Sequence, residues 1–498
     1  MPAQPLIRRG YWIVALLIAA YMVAFIIFTL GRYARYNATG WDLGIFSQLT
    51  WNASRGLFLQ NTLAENNNML AIHAPYITIL LAPLFWLWAD PRTLLIAQTV
   101  ILAVGAWPIA RLAGRHFKAW WIPPVFAALW LLYPALGWIN RWDFHEIAPA
   151  TMFFAFAFEA CDRRAWRQVD IWLVLAVLCK EEIGLNVAFF GIYMVLCYQR
   201  SRRAGLIWFV FGIAWFTIHA FVIFPMVLHA VNGLPIHAAR YSWLLNHDPA
   251  KIIAYLTGPD TLLKIGFIFK LFAPVAFIAW LSPRHLIAAL PTFALSLLSS
   301  YEPQFDIFMH YTAVIIPCVI VATIFGAARF YKWLTERRAR YPLMTLSYAL
   351  LLAVFLCWLT YNPFTYTPTV RIYGWEIGAD LSALYEVETL IPPQACVVAS
   401  NEIEAHYSIR PESYVLGARG DMDGCAYMIV DLNDTRHNDF ADNEGVACFQ
   451  FWSQKRAPIY YRDSVVVLEQ MPAAATPAAA QQMQAFCDAY SKSQTRKS

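Results

Sequence analysis

Tyr33-Ala-Arg-Tyr-Asn-Ala-Thr-Gly-Trp-Asp-Leu-Gly-Ile-Phe46 follows closely on an uncharged apolar run, Tyr11–Leu30. A run of about 20 apolar residues is the length that spans a bilayer. This one is preceded by Arg8 and Arg9 and ends in Thr-Leu-Gly-Arg32. It has no short core with a small-residue cleavage site, so it reads as a retained signal anchor. The segment behind it sets an acid, Asp42, beside Trp41 at the membrane boundary and at the head of an amphipathic stretch. Further on, ionisable groups recur in the gaps between apolar runs: Asp143, His145 and Glu146, then Lys180-Glu-Glu182, then His310. Charge at bilayer depth is costly and marks a site more often than a scaffold.

Composition agrees with a membrane protein. Of 498 residues, 59% are hydrophobic and 14% charged, and mean hydropathy is +0.47. Soluble domains carry nearer a quarter charged residues. The net charge of +5 is small, and no basic block interleaved with aromatics points to nucleic acid. The 21 Trp and 25 Tyr suit a chain with much surface at the lipid–water boundary.

Apolar runs mark further candidate spans at 94–113, 119–138, 147–161, 169–179, 183–198, 205–229, 265–281, 285–300, 311–328 and 342–361. With the N-terminus inside, alternate gaps hold Arg8 and Arg9; Arg111, Arg115 and Lys118; Arg163, Arg164 and Arg167; Arg200, Arg202 and Arg203; Arg284; and Arg329 to Arg340. The intervening gaps are poor in Lys and Arg, which is the positive-inside pattern. It requires Lys180-Glu-Glu182 to be an outer turn and not the middle of one helix. It also keeps Ile72–Trp88, with Pro75, Pro83 and Asp90-Pro91, on one side of the bilayer as an interfacial or re-entrant helix. The expectation is an all-α polytopic protein of eleven spans, residues 1–361, with large outer loops at 31–93 and 230–264.

From residue 362 the chain turns polar. A helical stretch from Gly378 to Leu390 precedes five β-like runs: Cys396–Ser400, Ser413–Leu416, Tyr427–Asp431, Ala457–Tyr461 and Ser464–Leu468. This predicts a small α/β extracytoplasmic domain over 362–470 and a tail over 471–498. Its four cysteines, Cys396, Cys425, Cys448 and Cys487, allow three disulfide pairings and do not have zinc-site spacing.

Several of these segments together resemble a bacterial and archaeal family of membrane proteins of unknown function. They are Gly40-Trp-Asp-Leu-Gly-Ile-Phe-Ser-Gln48, His73-Ala-Pro75, Trp142-Asp-Phe-His-Glu146, Lys180-Glu-Glu-Ile-Gly184, His310-Tyr311 and Glu404-Ala-His-Tyr-Ser-Ile-Arg410. Their order along the chain is the specific signal. The family is grouped with the GT-C glycosyltransferases, polytopic enzymes that use lipid-phosphate sugars. The resemblance implies that fold, with Asp42 at the first acidic position and Asp143 at the second.

Glycosyl transfer from a polyprenyl phosphate needs a base for the acceptor hydroxyl, donors for the leaving phosphate and an apolar groove for the lipid. Asp42 suits the base, with Trp41 beside it; the plainer reading is an N-cap for a helix over 43–54. Asp143, His145 and Glu146 would lie near a helix start, with 143 and 146 on one face. They suit acceptor binding or a divalent cation, the one cofactor the residues suggest. Lys180 and Glu181 form either a substrate-contacting cluster or a structural ion pair. Arg240 is the best-placed phosphate ligand; Lys264 and Lys270 are alternatives, the latter also able to snorkel. His73, starting the interfacial helix, and His310-Tyr311, starting a span, complete the substrate-binding candidates. The reading is a glycosyltransferase at the outer face of a bacterial inner membrane, with a membrane lipid and a polyprenyl-phosphate-linked sugar as partners and an acceptor left open. The alternatives are a transporter or flippase, and a non-catalytic scaffold. A transporter places its site at mid-membrane in repeated halves, and no repeat is evident.

Overall fold

A computed structural model describes residues 3–64, 67–228, 240–245, 250, 253, 255, 257–365, 381–416, 424–431, 456–462 and 465–470. It divides into two compact units that the chain visits in turn. The first comprises Met1–Thr29, Met69–Leu80 and Leu95–Thr369. The second comprises Leu30–Asn68, Leu81–Leu94 and Val370–Ser498.

The first unit is helical. Five helices are long and apolar enough to cross a membrane: Arg8–Ala34, Arg92–His116, Gln199–Val227, Ile315–Glu336 and Pro342–Tyr361. Ile122–Leu131 and Pro134–Arg141 make a sixth if the pair, bent by 48°, is one span. The remaining expected spans appear as shorter pieces, among them Ala148–Asp162, Trp166–Val177 and Ile183–Cys197. Length alone therefore carries five or six crossings among the described residues. Ile77–Leu87 has 11 residues, about 16 Å at the α-helical rise, half the thickness of a hydrocarbon core.

Helices without a hydrophobic drive between them pack through small residues. The pair Ile183–Cys197 and Arg202–Ile218 shows this. A Cβ on Gly184 would run into the backbone of Gly212, and one on Gly191 into that of Gly205. Acids within helices are matched: the buried Glu159 takes Arg163 at 2.7 Å and Arg111 at 3.2 Å.

In the second unit all five expected β-runs are strands: β1 Val397–Ala399, β2 Ser413–Val415, β3 Tyr427–Asp431, β4 Arg456–Arg462 and β5 Val465–Gln470. They form one sheet in the order β2-β1-β3-β5-β4. The first three are parallel, and β5 runs antiparallel to β3 and β4. Helix Leu381–Leu390 covers one face through Leu384 and Val387, which pack with Val397, Ile429 and Val467. Cys396 and Cys425 are joined as a disulfide. Cys448, Cys487, the tail 471–498, residues 378–380 of the expected helical stretch and most of the loop 230–264 lie outside the described residues.

Candidate functional site

The ionisable residues of the first unit collect where its helices break. A break leaves backbone donors and acceptors that must be satisfied inside an apolar bundle. Gln98 does this for the break after Arg141. Its Nε2 donates to the carbonyls of Ile139, Trp142 and Asp143 at 3.1–3.4 Å, and its Oε1 accepts the amide of His145 at 3.0 Å. Pro149, in the first turn of Ala148–Asp162, sets that helix's start. Asp143 and Glu146 thus lie in a non-helical connection, and the expected shared helix face is not formed. Asp143 is not an N-cap either. His145 points its Nδ1 at the Asp143 carbonyl, 3.0 Å away.

A second break separates Trp166–Val177 from Ile183–Cys197, so Lys180-Glu-Glu182 is a turn, as the charge pattern requires. Glu181 Oε1 meets His73 Nδ1 at 2.9 Å, and its Oε2 accepts the Ala74 amide at 3.0 Å. The Ile77 amide donates to the Leu178 carbonyl at 2.7 Å. The turn therefore holds the segment 73–77, whose helix begins only at Ile77; His73 precedes the helix because Pro75 disfavours helical backbone before it. Burial acts to raise the Glu181 carboxyl, but His73, Lys180 and the Ala74 amide outweigh it and hold it below the usual carboxylate range.

Lys180 Nζ lies 3.5 Å from Glu146 and 3.9 Å from Glu182, and is within electrostatic reach of Glu181 and Tyr311. The His145 and His310 rings stack at 3.7 Å. His310, at the head of a short 3-10 turn before Ile315–Glu336, is coupled by charge to His145, Lys180, His73 and Arg240. Arg240 sits over the Tyr301 ring at 4.2 Å and the Tyr311 ring at 5.9 Å, and its Nη1 reaches Gln304 at 3.3 Å. One cluster thus gathers the buried Glu146, His145, Lys180, Glu181 and His310 with the partly buried His73, Arg240 and Tyr311. Glu146 Oε2 and His310 Nδ1 have no hydrogen-bond partner among the described residues. The alternatives to Arg240 are engaged: Lys270 is 3.0 Å from Asp306, and Lys264 donates to the Tyr255 hydroxyl at 2.9 Å. Among the described residues no three His, Cys, Asp or Glu side chains are arranged to hold a metal ion.

Asp42 and Trp41 belong to the second unit. Asp42 is inside a π-helical turn, Gly40–Gly44, that leads into Ile45–Ser54. It is not the N-cap; that position is Thr39, whose hydroxyl donates to Asp42 Oδ2 at 3.1 Å. The turn rests on helix Asn401–Tyr407 of the C-terminal motif. Asn401 Oδ1 accepts the Trp41 amide at 3.1 Å. Glu404 lies against Gly40 and Gly44, where any Cβ would collide with its carboxyl. Gly40 and Gly44 therefore share the face turned to Glu404, while Asp42, half a turn away, points elsewhere. Glu404 is fully buried, and among the described residues neither carboxyl oxygen makes a well-formed hydrogen bond. Burial pushes its carboxyl up to about 7, with the Ser413 hydroxyl and Arg410 acting the other way. The sequence offered Glu404 only within a motif; no local spacing signals that it backs a turn 360 positions earlier.

Residues 32–440 match the family described as Predicted membrane protein (DUF2079). The chain belongs to this family. No curated protein matches the DUF2079 chain in sequence. Among solved structures it is similar to ArnT from Cupriavidus metallidurans bound to undecaprenyl phosphate, with 11% identity, a TM-score of 0.54, and coverage of 93% of this chain and 99% of that one. It is also similar to the apo state of ArnT (10% identity, TM-score 0.49, coverage 92% and 99%). A third similarity is to the archaeal oligosaccharyltransferase AglB from Archaeoglobus fulgidus, in complex with an inhibitory peptide and a dolichol-phosphate (11%, 0.39, coverage 93% and 74%). The first likeness shows a fold shared with ArnT.

Proposed function

We propose that this DUF2079 protein is a glycosyltransferase that takes a sugar from a polyprenyl-phosphate donor at the outer face of a bacterial inner membrane. One observation carries the reading. Ionisable side chains are packed into helix breaks of an apolar bundle, and that bundle shares its fold with a protein bound to undecaprenyl phosphate. The topology that goes with it has eleven crossings, a cytoplasmic N-terminus and an outer C-terminal domain. The spread of Lys and Arg supports it.

In the proposed reaction Asp42 takes the proton from an acceptor hydroxyl as that oxygen attacks the anomeric carbon. The bond from that carbon to the phosphate oxygen breaks, and the phosphate leaves with the electron pair. Within the first unit, Arg240 has the chemistry for phosphate binding: its planar guanidinium, braced by Tyr301 and Tyr311, suits phosphate oxygens. The set His73, Glu181, Lys180, Glu146, His145 and His310 orients substrate in the first unit, and Trp41 offers an apolar face beside Asp42.

The test is transfer of label from radiolabelled polyprenyl-phosphate sugars by membranes containing the full chain. Asp42→Asn removes a base while keeping shape, and is expected to abolish transfer with an unchanged thermal midpoint. Wild-type rates in that variant would remove Asp42 from the base role. Absence of transfer by the wild-type chain with every donor tried, together with flux of a lipid-linked substrate across proteoliposomes, would replace the enzyme by a transporter.

A further inference from the structure

A cavity of about 580 Å³ lies within the second unit, apart from every residue assigned above. It is lined by the end of the first helix, the turn Trp88–Arg92 and the helices Leu381–Leu390 and Asn401–Tyr407. Its volume is in the ordinary range for a small-molecule site, about 300–1,000 Å³.

The polar groups of this cavity are held in place by partners behind them. Arg92 is clamped by Asp90, with Nε to Oδ1 at 2.8 Å and Nη2 to Oδ2 at 2.6 Å, and its guanidinium lies 4.9 Å from the Trp88 ring. Glu388 Oε1 takes two bonds, from the Tyr36 hydroxyl at 2.5 Å and with His406 Nδ1 at 2.9 Å. The other His406 nitrogen faces the Tyr33 carbonyl at 3.0 Å. The His406 ring is sandwiched between those of Tyr33 and Tyr36, at 4.0 and 3.7 Å. A side chain held on so many sides presents its remaining atoms in one orientation.

Two hydrogen-bonding positions are left over. Glu388 Oε2 accepts nothing, and Arg92 Nη1 donates nothing, among the described residues. Beside them Trp88 and Tyr385 stand 42% and 43% exposed. Arg92 is paired with Asp90, and Glu388 Oε1 is already hydrogen-bonded with Tyr36 and His406, so among the described residues the lining offers no unpaired cation for a phosphate and only an engaged carboxylate for an amine. A fixed acceptor, a fixed donor and exposed aromatic surface fit a neutral ring with hydroxyls at its edge and C–H bonds on its faces.

We propose that this cavity binds a neutral sugar. The inference extends the transferase reading and stands on the cavity's own chemistry. The same chemistry serves the sugar of a lipid-linked donor and a free acceptor glycan. Saturation-transfer NMR on the full chain in nanodiscs separates the two. The probes are the methyl glycosides of glucose, galactose, mannose and N-acetylglucosamine, and a polyprenyl-phosphate hexose. Saturation of a free glycoside places an acceptor in the cavity; saturation of the lipid-linked sugar alone places the donor there. Either signal must fall at least about tenfold in affinity in Trp88→Ala and in Glu388→Gln. Trp88→Ala is the decisive variant, because its exposed ring can be removed with little effect on folding, which the thermal midpoint checks. Failure of every probe to bind, binding that both variants leave unchanged, or displacement of the probe by inorganic phosphate would overturn the proposal. Asp42→Asn keeps sugar binding whether or not it stops transfer, so loss of the transferase reading leaves this one to be judged separately.

Discussion

Gly44 is glycine because a carboxyl occupies the space its side chain would need. Gly44→Ala must push Glu404 aside in a buried setting, at a cost of roughly 1–3 kcal/mol for overpacking. The thermal midpoint should fall, and Glu404→Ala in the same chain should restore part of it; strict additivity of the two losses would count against the contact. Glu404 also makes stability depend on pH. It keeps its proton up to about pH 7 when folded, against an ordinary value of 4.5. Between those values the folded chain holds more protons than the unfolded one, so stability declines as pH rises through this window. Glu404→Gln, neutral throughout, should flatten the slope of the midpoint between about pH 5 and 7. A wild-type slope surviving in that variant would assign the effect to another group. Neither property was legible from the sequence. Tail-motif residue 404 and residue 44 meet only through the tertiary fold, and no local pattern announces it.

The helix breaks define the next scale. Each joins two apolar helices and turns on one buried side chain: Gln98 seals the break at Asp143–His145, and Glu181, within the break at Lys180–Glu182, holds His73 and Ala74. Glu181→Ala leaves the Ala74 amide and His73 without their acceptor. Faster amide exchange is expected at Ala74 and Ile77, with little change in Ala148–Asp162, read by hydrogen–deuterium exchange on the intact chain. The Lys180–Glu146 contact behaves as a buried pair. Lys180→Met alone strands a carboxylate and should cost about 3–5 kcal/mol, whereas Lys180→Met with Glu146→Gln should cost less. Equal losses in the two chains would show that the pair is not coupled.

Elements were read from sequence in proportion to how locally they are determined. The apolar runs 427–430 and 465–468 need only their own side chains to become strands, and both did. The turn at Lys180 followed from the placement of Arg200 to Arg203. The helix expected across Asp143 and Glu146 did not form, because Trp142–His145 hands its backbone to Gln98, a residue some 45 positions away. The Glu388–His406–Tyr36 arrangement lacked any signal for the same reason.

At the scale of the molecule, the sidedness of the apolar helices is the open variable, and it can be read by fusion. Alkaline phosphatase joined after Asn362 should be active in a bacterial host, and joined after Arg203 inactive. The reverse pattern would invert the proposed face of action, and activity at both would break the count of eleven. Reduction of Cys396–Cys425 acts on the second unit alone. Its 29-residue separation predicts a loss of about 3.6 kcal/mol in that unit's stability, seen as a lower unfolding midpoint in Cys396→Ser.

The turn bearing Asp42 leaves the ribosome long before the helix it rests on. Trp41 and Asn401 are 360 positions apart. At a synthesis rate of about 5–20 residues per second, the first waits roughly 20–70 s for the second. During that interval Gly40–Gly44 lacks its contacts with Asn401 and Glu404. A nascent chain of this kind stays vulnerable to proteases at its own N-terminal loop until translation is nearly done, and every premature stop upstream of residue 401 yields a product with that loop unsupported.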